Sequence, residues 1–198
     1  MEKIFITGLP RTGTTSICVA MLDLGYKVAH TAFTEKSLAQ AEVIADTPVF
    51  CDYQQLHQQY PDAKFIHLTR ELALWVPSIK QLLQRMHKNV TRIDGGFNPS
   101  LKHCFNTVFG PLTLENIAQD QFLIDCYEKH LKSLNQYFEG QESKLLTIDV
   151  SKPDSYPKLL SFLGKSAPIK AFERINIGGK ITAWNGIKHE NKIDQNLK

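Results

Sequence analysis

The segment "ITGLPRTGTTSI", residues 6–17, decides the fold class of this chain. The apolar run "KIFIT" (residues 3–7) leads into it and a stretch with helical spacing follows, so it is a glycine-rich turn between a strand and a helix. The first N–H groups of a helix have no internal partner, and the helix dipole is positive at that end. The segment therefore predicts a site for phosphate or sulfate; the alternative is a polar turn without a ligand.

The turn lacks the lysine that phosphate-binding loops usually contain. Gly8 and Gly13 have the spacing of a nucleotide-hydrolase phosphate loop, but Thr14 stands where that pattern has lysine. In the standard loop the lysine clamps the terminal phosphates of a nucleoside triphosphate. The absence of this lysine favours a ligand that presents a single phosphate to the turn. If that ligand reacts, the nearby Arg11 can face the bond that is broken.

Strand-like and helix-like stretches alternate along the whole chain. Short β-branched or aromatic runs lie at residues 3–7, 27–30, 64–69 and 144–150. Helical spacing predicts helices over residues 14–24, after Arg70, over about 114–138, and from after Asp154 to Gly164. This alternation predicts an α/β fold with three α/β/α layers around a central parallel sheet.

The length of 198 residues and 42% hydrophobic content fit one domain spanning residues 1–198. Glycines, prolines and aromatics without a clear period predict an irregular segment at residues 88–112, which is a candidate roof for an acceptor pocket or a surface for self-association. A second irregular region is expected at residues 165–198, where "NIGGK" contains Gly179 and Lys180.

Composition excludes several classes of function. The formal charge is +3, from 23 Lys and Arg against 20 Asp and Glu, and the basic residues form no blocks, so we expect an anionic small molecule rather than a nucleic acid as partner. The four cysteines form no CxxC pair, so we expect neither a metal site nor a disulfide framework. Without a leader before "KIFIT" or an apolar stretch of about 20 residues, we expect a cytoplasmic protein with no membrane segment.

A second anion-binding motif follows a later strand. In "KFIHLTRELALWVPSI" (residues 64–79), Arg70 comes directly after an apolar strand and Ser78 stands eight residues further on, in the following helix. Ligands of open α/β sheets lie outside the carboxyl ends of the strands, so Arg70 should face the same crevice as the glycine turn. A guanidinium can grip a phosphate with two hydrogen bonds and a hydroxyl can add another. The alternative for Arg70 is a surface ion pair with Glu71.

Together the two motifs resemble the sulfotransferases that use 3′-phosphoadenosine 5′-phosphosulfate (PAPS), a family with a fold like that of P-loop NTPases. "PRTGTT" at residues 10–15 matches the family's P-[KR]-[ST]-G-T-T loop, which holds the 5′-phosphosulfate, and Arg70 and Ser78 match its 3′-phosphate site. "ADTPVF" (45–50) and "YPDAKFI" (60–66) resemble a small bacterial-type branch. The donor-binding residues that the resemblance implies are Pro10, Arg11, Thr12, Gly13, Thr14, Thr15, Ser16, Arg70 and Ser78.

The resemblance also implies a reaction. A sulfuryl group passes from PAPS to a hydroxyl or amine of a small-molecule or glycan acceptor, 3′,5′-ADP is released, and no metal is required. Arg11 is the expected electrostatic catalyst. Asp46 is the preferred base, with His30 and Glu35 as alternatives; the structural alternatives are a helix cap for Asp46 and a core histidine for His30. Gly179 and Lys180 are a loose counterpart of a basic 3′-phosphate loop.

Two other functions stay open at this point. A P-loop kinase of a nucleotide or small metabolite would use Asp149 as a Mg²⁺ partner, although Asp149 is equally explained as the cap of a turn between strand and helix. A catalytically silent nucleotide-binding protein would keep the crevice without turnover. The acceptor site is either open or completed by a second copy of the chain, so a homodimer and a monomer are both compatible with the sequence.

Overall fold

The structure is a computed structural model that describes residues 2–175 and 183–198. Gly179 and Lys180 lie outside the described residues, so their predicted role is not addressed by the coordinates. In chain order the elements are β1 (Ile4–Ile6), α1 (Thr14–Asp23), β2 (Val28–Ala29), α2 (Glu35–Gln40), β3 (Val43–Ala45), α3 (Val49–Gln59), β4 (Lys64–Leu68), α4 (Leu72–Thr91), α5 (Pro99–Phe109), α6 (Leu114–Ala118), α7 (Asp120–Tyr137), a 3₁₀ turn (Glu142–Lys144), β5 (Leu145–Ile148), α8 (Ser155–Leu163) and α9 (Ala183–Gly186).

The five strands form one parallel sheet in the order β2-β3-β1-β4-β5. Successive strand residues point to opposite faces, as the pleat requires. Ile4 and Ile6 share a buried cluster with residues of α1 and α8, whereas Phe5 belongs to a cluster with residues of α3 and α7. The predicted three-layer α/β/α arrangement is confirmed.

The sequence patterns missed β3. Its three residues, Val43–Ala45, are too few to show a period, and they stand between the polar Glu42 and Asp46. All three are fully buried because β3 lies between β2 and β1 in the sheet. Asp46 therefore follows a central strand.

The expectation that residues 88–112 are irregular is wrong for most of that segment. α4 continues to Thr91, and α5 spans Pro99–Phe109. The Asn98 side chain accepts a hydrogen bond from the Ser100 N–H group and so caps α5. Cys104, Phe105 and Phe109 are buried against α4 and α7. Sequence periodicity missed this helix because its eleven residues offer only three turns of signal and are flanked by glycine and proline.

The predicted helix over residues 114–138 is two helices. α6 and α7 are separated at Gln119, which has an extended backbone (φ −89°, ψ 118°). The helix predicted to end at Gly164 does so, with Gly164 in the left-handed conformation at φ 62°. α1 ends one residue earlier than predicted, at Asp23, before Gly25 at φ 89°.

The irregular tail has a specific course in its described parts. Residues 165–175 lack regular secondary structure, and α9 has four residues. Beyond α9 the chain runs beside β2: the Val28 N–H group donates to Asn191 O (2.9 Å) and the Ile193 N–H group donates to Val28 O (2.9 Å). The tail therefore occupies the edge of the sheet at β2. None of the helices in the described ranges is long and apolar enough to cross a membrane.

Two buried histidines pack on each other between β4 and α7. The rings of His67 in β4 and His130 in α7 stack with centroids 5.6 Å apart. Thr7 Oγ1 lies 3.3 Å from His67 Nδ1, and His130 Nε2 lies 2.7 Å from Phe50 O. Within the described residues, His67 Nε2 and His130 Nδ1 have no hydrogen-bond partner. Burial lowers the pKa of His67 to about 3 and also lowers the pKa of His130, so both rings are neutral at pH 7.

We expect the fold to lose stability on acidification through His67. Because its folded pKa is lower than the unfolded value near 6.5, its contribution is complete above pH 6.5 and is lost as pH falls towards 3. At about 1.4 kcal/mol per pH unit, the loss between pH 6.5 and 5 is on the order of 2 kcal/mol. Urea unfolding of the wild type and of His67→Asn at pH 7 and pH 5 measures this loss of stability. Asparagine is chosen because it keeps a polar partner for Thr7 and does not titrate.

The matched control is His189→Asn at an exposed position. It should lose as much stability on acidification as the wild type, whereas His67→Asn should lose less. An unchanged acid slope in His67→Asn would show that the neutral state of this ring does not set the stability in this pH range.

Candidate active site

A cleft of about 980 Å³ opens at the carboxyl edge of the sheet. Each of the five strands delivers a lining residue there: His30 follows β2, Asp46 follows β3, the glycine turn follows β1, Arg70 follows β4 and Asp149 follows β5. Parallel strands end at one edge, which is why residues from distant parts of the chain meet. All nine residues predicted to bind the donor line this cleft, together with Asp46 and His30.

The glycine turn is held in a conformation that other residues fit poorly. Gly13 has φ 105°, and a Cβ there would lie 2.5 Å from Val150 Cγ2. A Cβ at Gly8 would lie 2.5 Å from the Leu68 Cβ atom in β4. The Thr12 hydroxyl donates to Leu9 O at 2.7 Å and closes the turn internally. Both glycines are therefore required by close approach of the turn to its neighbours.

The start of α1 offers unpaired hydrogen-bond donors to the cleft. The Ile17 N–H group bonds back into the turn, to Gly13 O at 3.1 Å. In the part of the chain that the structure describes, the N–H groups of Gly13, Thr14 and Ser16 donate to no protein acceptor. The first turn of α1 contains no acidic residue that would compete for them. This arrangement favours binding of an anion.

Direct hydrogen bonds join the two predicted motifs. The Arg70 guanidinium donates from Nη1 to Arg11 O at 2.7 Å. The Arg11 guanidinium donates from Nε to Ser78 Oγ at 2.8 Å. The alternative of a surface ion pair between Arg70 and Glu71 is not observed; over residues 2–175 and 183–198 Arg70 forms no ion pair.

Positive charge accumulates around Arg11. Burial lowers the pKa of the Arg11 guanidinium, and the nearby guanidinium groups of Arg70 and Arg85 lower it further. Arg11 also has a left-handed backbone at φ 74°, an uncommon conformation for a residue with a side chain. The positive charges of these guanidinium groups repel one another, so an anion bound in the cleft relieves that repulsion.

Two buried aromatic residues support the motifs from behind. The Trp75 indole, fully buried, donates from Nε1 to Pro10 O at 2.9 Å. The Tyr127 hydroxyl accepts from the Arg70 N–H group at 3.0 Å and donates to Arg70 O at 3.2 Å. Both aromatics stand on helical apolar stripes, and that pattern predicts burial but gives no sign of these hydrogen bonds.

The three candidate bases lie in different surroundings. Asp46 is partly buried and has a left-handed backbone at φ 48°. Burial raises its pKa to about 6, although hydrogen bonds from Thr47 oppose the shift. Its side chain does not cap α3, whose N-cap residue is Pro48. Glu35, in contrast, is exposed at the start of α2 and does not line the cleft.

His30 lies close to the glycine turn. Its Nε2 atom is 3.0 Å from Thr15 Oγ1, and its ring packs on Trp184 with centroids 5.4 Å apart. Burial lowers the pKa of His30 to about 4, and the nearby Lys192 ammonium contributes to the shift. The ring is therefore neutral at pH 7.

The carboxylate of Asp149 is engaged at a turn. Its Oδ1 atom accepts hydrogen bonds from the Ser151 N–H group at 2.9 Å and from Ser151 Oγ at 2.7 Å. The same residue's carbonyl accepts from Ser155 Oγ at 2.6 Å, close to the start of α8. Asp149 therefore serves the connection between β5 and α8.

Removal of the Tyr127 hydroxyl should lower the free energy of unfolding by a measurable amount. In Tyr127→Phe the ring still fills its place, but the backbone N–H and C=O groups of Arg70 lose their partner, which costs about 1–3 kcal/mol. Urea unfolding should show this loss. Tyr26→Phe is the control, because Tyr26 lies outside the cleft with its ring under Lys165; an equal effect of the two substitutions would contradict a specific support of Arg70.

Comparisons with known proteins show the family of this chain. A family model described as a sulfotransferase domain matches residues 3–37 and 31–181. The chain is also similar to Ava biosynthesis cluster protein M of Aspergillus versicolor, at 30% identity over 111 residues, covering 41% of this chain and 43% of that protein. The chain thus matches less than half the length of this curated relative. Since the family model extends over most of the sequence, the chain belongs to the sulfotransferase domain family.

Proposed function

We propose that this protein transfers a sulfuryl group from PAPS to a hydroxyl or amine of a small-molecule acceptor and releases 3′,5′-ADP. The observation that carries the proposal is the direct linkage of the two anion motifs in one cleft, through Arg70 Nη1 to Arg11 O and Arg11 Nε to Ser78 Oγ. Membership of the sulfotransferase domain family supports it.

The residues of the cleft fit a nucleotide that carries phosphates on both sides of its ribose. The donors at the start of α1 and the hydroxyls of the glycine turn suit a 5′-phosphosulfate. Arg70 and Ser78, at the end of β4 and in α4, suit a 3′-phosphate, because a guanidinium can grip phosphate with two hydrogen bonds. A volume of about 980 Å³ leaves room for both a nucleotide and an acceptor.

Arg11 provides electrostatic catalysis in this proposal. PAPS supplies the sulfuryl group when it is bound, and negative charge develops on the phosphate oxygen that departs. In this proposal Arg11 and the N–H groups of Gly13 and Thr14 stabilise that charge. Removal of one such donor typically lowers the rate by about 10²- to 10³-fold.

Asp46 is the proposed base. A carboxylate with a pKa of about 6 is largely ionised at pH 7 yet is a stronger base than an ordinary aspartate. Asp46 follows β3, the direct neighbour of the strand that carries the glycine turn. It can therefore take the proton of an acceptor hydroxyl that lies beside the turn. His30 is the alternative base, since it also lines the cleft as a neutral ring.

The kinase alternative is less well supported. Thr14 stands in place of the lysine that a P-loop kinase needs, and Asp149 Oδ1 already accepts two hydrogen bonds from Ser151. The roles proposed for Arg70 and Ser78 have no counterpart in that scheme.

Ligand-dependent stability tests the donor class. Thermal unfolding with 3′,5′-ADP at about 100 times its Kd should raise the Tm by roughly 5–10 °C, whereas ATP with Mg²⁺ should have a smaller effect. Arg70→Ala should weaken 3′,5′-ADP by about 10- to 100-fold and 5′-AMP far less, because only the former carries a 3′-phosphate.

Arg92→Ala, an exposed arginine outside the cleft, is the control and should bind 3′,5′-ADP like the wild type. A Tm rise with ATP and Mg²⁺ alone would support the kinase. Equal weakening of 3′,5′-ADP and 5′-AMP in Arg70→Ala would remove the role assigned to Arg70.

Turnover tests the base. With PAPS and a set of simple phenols, alcohols and amines as acceptors, Asp46→Asn should lower kcat by about 10²- to 10⁴-fold. The wild-type rate should fall as pH drops through about 6, because protonation removes the carboxylate that accepts the proton. His30→Gln is the comparison: a larger loss in that variant would transfer the base role to His30, and no turnover in the wild type would favour a silent binding protein.

A further inference from the structure

Three side chains with metal-ligating atoms meet on the surface away from the cleft. Cys51 and Asp52 lie in α3, and His103 lies in α5. The Cys51 sulfur, one Asp52 carboxylate oxygen and one His103 ring nitrogen all lie within 4.8 Å of one another. None of the three residues lines the candidate active site. Cys51 and Asp52 are partly buried and His103 is exposed, so the group is accessible to an ion from solvent.

The separations of these atoms resemble those around a tetrahedral zinc ion. His103 Nε2 lies 3.5 Å from Cys51 Sγ and 3.1 Å from Asp52 Oδ1. Bonds of about 2.3 Å from zinc to sulfur and about 2.0–2.2 Å to nitrogen and oxygen, at the tetrahedral angle, require separations of about 3.6 Å and 3.4 Å. A single imidazole nitrogen already faces both other ligands at nearly these distances. The third separation, between the Cys51 sulfur and the Asp52 oxygen, is within 4.8 Å and must reach about 3.6 Å when the ion binds.

The donor set selects the kind of ion. A thiolate, an imidazole and a carboxylate together suit Zn²⁺ and similar transition metals, whereas Mg²⁺ and Ca²⁺ take oxygen ligands. We propose that Cys51, Asp52 and His103 form a zinc site, with water as the fourth ligand. On binding, the Cys51 thiol gives up its proton to solvent and binds as the thiolate.

A neighbouring thiol stays outside the ligand set. Cys104 is fully buried, and its sulfur lies 3.7 Å from the Pro48 carbonyl, to which it donates. The three grouped ligand atoms do not include this sulfur, which leaves three protein ligands.

The site joins two helices behind the segment that carries the proposed base. Cys51 is in the first turn of α3, which begins directly after Asp46, Thr47 and Pro48. α5 already touches this segment through the Cys104 contact to Pro48. An ion that links Cys51 and Asp52 to His103 would brace the segment against α5. This inference does not depend on the sulfotransfer reaction, because the ion takes no part in it.

Cobalt binding provides the direct test. Co²⁺ titrated into the metal-free full chain should bind with one ion per chain and give the absorption of a thiolate-to-cobalt charge transfer, and Zn²⁺ should displace it. Zn²⁺ at about 100 times its Kd should raise the Tm by roughly 5–10 °C, and Mg²⁺ should not. Cys51→Ser should abolish the charge-transfer band, and His103→Gln should weaken binding at least 10-fold.

The control variant is His189→Gln, which alters an exposed histidine elsewhere and should bind cobalt as the wild type does. Far-UV circular dichroism without metal checks that each variant folds; if Cys51→Ser does not, the exposed His103→Gln carries the test alone. Absence of the charge-transfer band in the wild type, or wild-type affinity in His103→Gln, would overturn the site.

Discussion

The hydrogen bond from the Arg70 guanidinium to the Arg11 carbonyl is the contact on which the candidate active site depends. It joins the residues that follow β1 and β4, neighbouring strands of the sheet. The left-handed backbone of Arg11 turns its carbonyl towards Arg70 while its side chain reaches Ser78. One residue thus connects the glycine turn to both elements of the second motif. Strain at Arg11 is tolerated because two hydrogen bonds hold the residue in place.

The aromatic residues behind the cleft make this linkage rigid. Trp75 holds the Pro10 carbonyl, and Tyr127 holds the backbone of Arg70. Their rings pack edge to face at a centroid distance of 4.8 Å, so the supports of the two motifs also contact each other. Electrostatic catalysis needs donors that are fixed before the charge develops. The buried aromatics fix the positions of groups that otherwise lie on a turn and at the end of a strand.

Sequence reasoning found the motifs and most of the sheet but not all of the packing. Gly8 and Gly13 were identified because their spacing reflects the backbone requirements of a phosphate-binding turn, and Arg70 and Ser78 because they follow a strand at the spacing of a family motif. β3 was missed because three apolar residues carry no period. α5 was missed because long-range packing, not propensity, supports it. The pairing of Cys51 with His103 joins residues 52 positions apart and leaves no trace in local patterns.

The fold adds to what the sequence indicates about the candidate bases. The sequence favours Asp46 over His30 and Glu35, and in the structure Asp46 and His30 line the cleft whereas Glu35 does not. Asp46 follows β3, a central strand, whereas Glu35 lies on a short surface helix. The raised pKa of Asp46 comes from burial, a property of the folded chain that the residues around it in sequence do not reveal.

The tail along β2 has a consequence for how the chain folds. An open edge of a parallel sheet offers unpaired backbone groups to any passing strand, and residues 191–193 cover those of Val28. The same stretch brings Lys192 over the ring of Trp184, which in turn packs on His30. A folding intermediate in which these residues are not yet docked therefore exposes the β2 edge and lacks the Trp184 contact of His30. One stretch of chain thus protects the sheet edge from mispairing and supports the ring of a histidine that lines the cleft.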